Sequence, residues 1–182
     1  MQHVQRSEIV DFMTWAEELR PKQRPQILAE KELRRIVLGP LTFLFENRET
    51  VRYQVQEMMR VERMVRERDI QHELDTYNEL LGGPGQLGLT LMISIEGEDE
   101  RNVKLRRWLR LLPTLYLERA DGTRIRGTWD ERQVGTDRLS AVQYLKFAVG
   151  ETPVAVGCEH PDIDDRLELS EQSRAALAAD LG

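Results

Sequence analysis

Residues 82–88 read GGPGQLG, four glycines and one proline in seven positions. Neither a helix nor a strand continues through such a segment, because glycine loses too much backbone freedom and proline removes an N–H. The segment divides the 182-residue chain into two stretches of different periodicity. Before it, apolar residues recur at helical spacing. After it, Leu89, Leu91, Ile93 and Ile95 alternate with Thr90, Met92 and Ser94, as in a strand with two unlike faces. The expectation is an α+β fold: a helical region over 1–81, a Gly/Pro hinge at 82–88, and a mainly antiparallel sheet with flanking helices over 89–182, sharing one core with the helical region.

Within the first stretch, Ser7 suits a helix N-cap, and Ile9, Val10, Phe12, Met13 and Leu19 supply an apolar side. Pro21 and Pro25 are expected to end that helix and start a second one running to Leu38, where Gly39-Pro40 turns the chain. Leu41, Leu44, Phe45, Val51, Val55, Met58 and Val65 keep to one side of a helix, and the pattern continues to Leu81. One long helix, or a helical hairpin bent near Asn47, accounts for it. In the second stretch, residues 99–111 read as a helix. Ala120-Asp121-Gly122-Thr123 reads as a hairpin turn between strands at 115–119 and 124–129. Leu139 to Val149 is the next strand and Val154 to Val156 a short last one. Ser170 is placed to cap a helix ending at Leu181.

Composition narrows the class. With 40% hydrophobic and 32% charged residues, the chain can bury an ordinary globular core. The lone cysteine, Cys158, rules out an intrachain disulfide framework and points to a reducing compartment. No run of about 18 apolar residues is present to cross a bilayer. The opening MQHVQRSEIVDF lacks the basic start and apolar run of a secretory signal, so a cytoplasmic location is expected. The net charge is −6; residues 1–68 carry 13 basic and 11 acidic side chains, and the rest carry 13 and 21. That balance argues against nucleic-acid binding driven by overall charge.

Two groups of polar residues stand out. On the expected long helix, Glu62, Asp69 and Glu73 project near the middle of the apolar stripe, with His72 at its flank. Asp69 and His72 have the carboxylate-x-x-His spacing by which one helix presents two ligands to a metal, and Glu46 and Glu57 are further candidates. Iron, manganese or zinc would suit such a set. The same residues, with Arg66, are equally spaced for an ion-pair ladder on an exposed face, the reading favoured here because only one such motif occurs. The second group lies around DERQ and VQYLKF. Alternation puts Gln143 on the apolar face of its strand, where it needs partners. Arg132, Gln133 and Arg138 in the preceding loop could converge with it on an anion or a partner's carboxylate, or simply pin the loop to the sheet.

Other features carry less. Cys158 and His160 are two residues apart but lack further partners for metal binding or thiolate chemistry. The glycine segment opens into a strand and lacks the GK[ST] of a phosphate loop. Arg101, Lys104, Arg106, Arg107 and Arg110 surround Trp108, yet the recognised nucleic-acid motifs are absent.

Three stretches together resemble a known family: RPQILAEKELRRIVLGPLTFLFENRETVRYQVQEMMRVERM, IQHELDTYNELLGGPGQLG and DERQVGTDRLSAVQYLKF. They are similar to the bacterial family DUF3501 from about Ser7 to Phe147, with a weaker echo in GCEHPDI and the last helix. Members tend to carry Glu where this chain has Asp69. The family supplies no catalytic residues to carry over. It implies a setting beside rubrerythrin-like proteins and iron–sulfur oxidoreductases of oxidative-stress operons. The function expected is therefore that of a non-catalytic accessory or protein-interaction factor in bacterial redox physiology, with a protein partner or a homodimer. A carboxylate/His metal-binding redox protein is the alternative, and a nucleic-acid-binding module a distant third.

Overall fold

The computed structural model describes residues 1–181. A short helix α1 (Phe12–Thr14) passes through a π-helical turn (Trp15–Leu19) into α2 (Arg20–Leu33). Asp11 caps the start, its carboxylate accepting from the Met13 and Thr14 amides. The prolines do not end the helix. The wider π turn precedes Pro21, where a proline would otherwise crowd the preceding turn, and Pro25 is absorbed inside α2.

Two strands follow where helix was expected. β1 (Arg35–Leu38) and β2 (Leu41–Glu46) form an antiparallel hairpin with Leu38 opposite Leu41. Gly39 adopts the positive φ of 54° that a two-residue hairpin turn requires at its first position. The helical spacing of Leu41, Leu44 and Phe45 is misleading because every residue of β2 is buried, so both faces read as apolar. The 1–81 stretch is thus helical only in part.

α3 (Arg48–Glu62) begins at Asn47, whose side chain accepts from the Thr50 amide at 2.9 Å. It ends at Arg63, the one non-glycine residue with positive φ among those described. α4 (Glu67–Asn78) follows after this break. The expected single stripe from residue 51 to 80 is therefore two helices with a corner at 63–66.

β3 (Leu87–Ile93) leaves the glycine segment, then come α5 (Glu98–Arg107), β4 (Leu115–Glu118), β5 (Arg124–Arg126), β6 (Val142–Phe147), β7 (Ala155–His160), β8 (Ile163–Glu168) and α6 (Glu171–Leu181). The Asp121-Gly122 turn and the Ser170 cap are present as expected: Gly122 has φ of 82°, and the Ser170 hydroxyl accepts from the Ser173 amide. Gly88 is required where α4 ends, since a Cβ there would lie 1.7 Å from the Leu80 carbonyl oxygen.

The strands form two antiparallel four-stranded sheets, ordered β1-β2-β3-β6 and β5-β4-β7-β8. Phe43, Phe45, Leu89, Leu91, Leu145 and Phe147 of the first sheet share one core with Leu115, Leu117, Val156 and Cys158 of the second, joined by Leu105, Trp108 and Leu177 from the helices. The helical part adds two smaller clusters, one around Val51, Val55, Met59, Ile70 and Leu74, the other around Trp15, Ile27 and Tyr53. On the second face of the first sheet the buried Glu46 carboxylate accepts from Thr50 of α3 at 2.6 Å and from Thr90 of β3 at 2.7 Å. No helix among the described residues is long and apolar enough to cross a membrane.

Candidate functional site

A cleft of about 660 Å³ opens between the α3–α4 helix pair and β6. Its helical wall carries Met58 from α3 and Glu73, Thr76 and Tyr77 from α4, with Glu79 and Leu80 just beyond the helix end. Tyr144 and Lys146 of β6 form the opposite side. The segment leading to β6 closes the end with Thr128, Trp129, Asp130 and Gln133.

The alternation of β6 explains why these side chains face the cleft. Gln143, Leu145 and Phe147 turn into the shared core, so Val142, Tyr144 and Lys146 must face the other way. Tyr144 remains 44% exposed. β6 is an edge strand, and its free edge is occupied from within the chain. Thr128 makes a two-way backbone bridge with Lys146, both bonds at 2.8 Å. The Gln133 side chain then imitates a peptide group: its Nε2 donates to the Tyr144 carbonyl at 2.8 Å and its Oε1 accepts from the Tyr144 amide at 2.9 Å. Such pairing blocks the edge against other strands and holds one end of the cleft to the sheet.

The electrostatics are uneven. Burial, followed by the negative charge of Glu62, pushes the Glu73 carboxyl above its usual range, with His72 acting weakly the other way. Burial likewise raises the Tyr77 phenol, and Glu73, Tyr144 and Glu62 add to the rise. Arg132 holds the Asp130 carboxyl down at about 2 through side-chain hydrogen bonds at 2.5–3.0 Å. The Trp129 indole N–H is buried with no acceptor.

The sequence-derived candidates do not form one group, although Glu62 and His72 both lie close enough to act on Glu73. Glu62 ends α3, whereas Asp69, His72 and Glu73 lie on α4, and the corner between them removes the common stripe. Asp69 pairs with Arg68 at 3.2 Å, and His72 is exposed. Glu57 receives Trp15 and Arg20, both at 2.8 Å, while Glu46 is held by its two threonines. Among the described residues, no three His, Cys, Asp or Glu side chains are grouped so as to hold a metal. In the second group, Gln143 is fully buried, as alternation requires, donating to the Ser140 carbonyl at 3.0 Å while its Oε1 has no partner. Gln133 is on the edge, Arg132 on Asp130, and Arg138 is exposed, so the four do not converge. Cys158 is buried against Thr114, its Sγ 3.4 Å from the hydroxyl, and burial raises its pKa; His160 Nδ1 accepts from the Asp162 amide. Of the candidate site residues named from the sequence, Glu73 and Gln133 line the cleft. Tyr144 belongs to the VQYLKF stretch, but nothing local links it to Tyr77 and Trp129, and their 67-residue span in sequence hides their proximity.

Fold and cleft together define an α+β protein of two antiparallel sheets with a helical cover, matching a family whose function its description leaves open. The model of DUF3501, "protein of unknown function", matches residues 3–181, and the chain belongs to that family. A crystal structure at 1.90 Å resolution of a "novel protein of unknown function" from Burkholderia pseudomallei K96243 is similar over 100% of both chains, with a TM-score of 0.90 and 28% identity. No curated protein matches.

Proposed function

We propose that this protein is a non-catalytic accessory factor that recognises a partner protein through the cleft between α4 and β6, in bacterial redox or oxidative-stress physiology. The observation that carries the reading is the cleft itself. It pairs aromatic rings with carboxylates along α4, β6 and the segment leading to β6, and rings of this kind provide large contact area at little entropic cost. Its end is held to the sheet by the Gln133–Tyr144 pairing, so the surface is ordered before anything binds. The physiological setting comes from the family resemblance, which makes rubrerythrin-like and iron–sulfur proteins the first partners to test.

A photo-crosslinking amino acid at Thr76, an exposed position on the cleft wall, tests this in the native cell. The expected result is one discrete adduct, to a rubrerythrin-like or iron–sulfur protein, that is missing when the crosslinker is moved to Glu168 on the far sheet. Equal adducts from both positions, or none from Thr76, would overturn the proposal.

A further inference from the structure

The charges around the cleft do not balance. Glu73, Glu79 and Asp130 line it against a single basic lining residue, Lys146. Asp130 is already neutralised by Arg132, which also feels Glu79. Glu73 is partly buried and lies close to Glu62, with His72 the one neighbour acting against the rise. A carboxylate placed this way is held at a cost to the fold, since both desolvation and a like charge disfavour its ionised form. Tyr77, Trp129 and Tyr144 line the same cleft. Aromatic rings beside a partly desolvated carboxylate are the combination that recognises a positively charged organic group, through the ring quadrupole and direct charge attraction. Metal ions are poorly suited, because rings displace the oxygen ligands they need.

We propose that the cleft is a receptor for an organic cation: an alkylammonium or guanidinium head on an apolar stem. The stem lies along Met58 and Leu80, and the head approaches Glu73 between the rings. Lys146, the basic residue of the lining, is not among the charges that act on Glu73. This deepens the binding role proposed above and rests on the cleft being the site of recognition. The same chemistry is offered by a free amine and by a lysine or arginine side chain of a partner.

The test uses the full chain labelled with ¹⁵N and three probes: spermidine, an Nα-acetyl-lysine methylamide, and the same compound acetylated at Nε. The expected result is saturable shifts of the Trp129 indole N–H and the Thr76 and Tyr144 amides by the two charged probes, at about 1 mM or tighter. The neutral acetylated probe should give none. Glu73→Gln should weaken binding at least tenfold, and Glu79→Gln, an exposed change, should weaken it less. Tighter binding of spermidine identifies a free amine as the source, and tighter binding of the lysine probe a partner side chain. Equal binding of the charged and acetylated lysine probes, or shifts scattered over surface carboxylates without saturation, would overturn the proposal. Should the probes fail while the Thr76 crosslink persists, the cation chemistry falls and the partner role stands.

Discussion

Three donors converge on the Glu57 carboxylate: the Trp15 indole and Arg20 at 2.8 Å, and Arg60 at 3.2 Å. Desolvation works against ionisation there, but hydrogen bonds from Arg20, Trp15 and Arg60 outweigh it and bring the pKa to about 2. Because the folded value lies below the unfolded one, the unfolded chain takes up this proton first as the pH falls. The stabilisation is complete above about pH 4.5 and fades toward pH 2, with an upper bound of about 3 kcal/mol from the size of the shift. Glu57→Gln should therefore lower stability at pH 7 and flatten its decline between pH 5 and 2, as read by urea denaturation at a series of pH values. An unchanged acid profile would assign the shift elsewhere. Glu73 has the opposite sign, raised rather than lowered, and the contrast separates a carboxylate that locks helices together from one that faces a cleft. Neither role was legible in the sequence. Glu57 entered the sequence reading only as a further candidate metal ligand, because two of its partners, Trp15 and Arg20, come from the π turn and α2, about 40 residues away.

At the scale of elements, the second sheet shows a pairing that only glycine permits. Gly157 of β7 lies opposite Tyr116 of β4, and a Cβ there would meet the tyrosine ring at 2.2 Å. The ring lies over the glycine and is roofed by Arg124 and Arg126, 4.5 and 5.3 Å from its centroid. Both arginines pair with Glu159, and Arg166 reaches Glu118 at 2.6 Å. An aromatic ring covering a strand glycine is a recognised way of pinning register. Gly157→Ala should destabilise the fold by about 1–3 kcal/mol, and Tyr116→Ala in the same chain should recover part of that loss; a double-mutant cycle with no coupling would show that the clash is relieved by other means. Elements with a clear local signal were readable in advance: the Asp121-Gly122 hairpin, the Ser170 cap, and the inward Gln143. The β1–β2 hairpin was not, since a strand buried on both faces has no alternation to display. β8 was missed for the reverse reason, with one buried residue followed by five exposed ones.

At the scale of the whole molecule, a buried ion pair ties distant parts of the chain. Arg34, at the end of α2 and 4% exposed, makes a two-pronged contact with Asp180 of α6 at 2.7 and 2.9 Å and reaches Glu30 at 2.6 Å. The pair joins positions 146 residues apart and fastens the last helix beside the first sheet. Arg34→Ala leaves Asp180 buried without its partner and should cost about 3–5 kcal/mol. Hydrogen exchange should show α6 loosening first, and a loss below 1 kcal/mol would mean that α6 is held by Leu177 alone. Long-range partners of this kind, like the three segments that build the cleft, leave no mark on local periodicity, which is why the fold class was legible while the site was not.

The burial of Cys158 has a practical consequence. It is the chain's lone thiol, enclosed in the shared core with its pKa raised, so alkylating reagents in water should pass it by. A cysteine introduced at Thr76 would then be the one reactive handle on an otherwise native chain. A fluorophore or spin label could be placed at the mouth of the cleft without first removing the natural cysteine from the core.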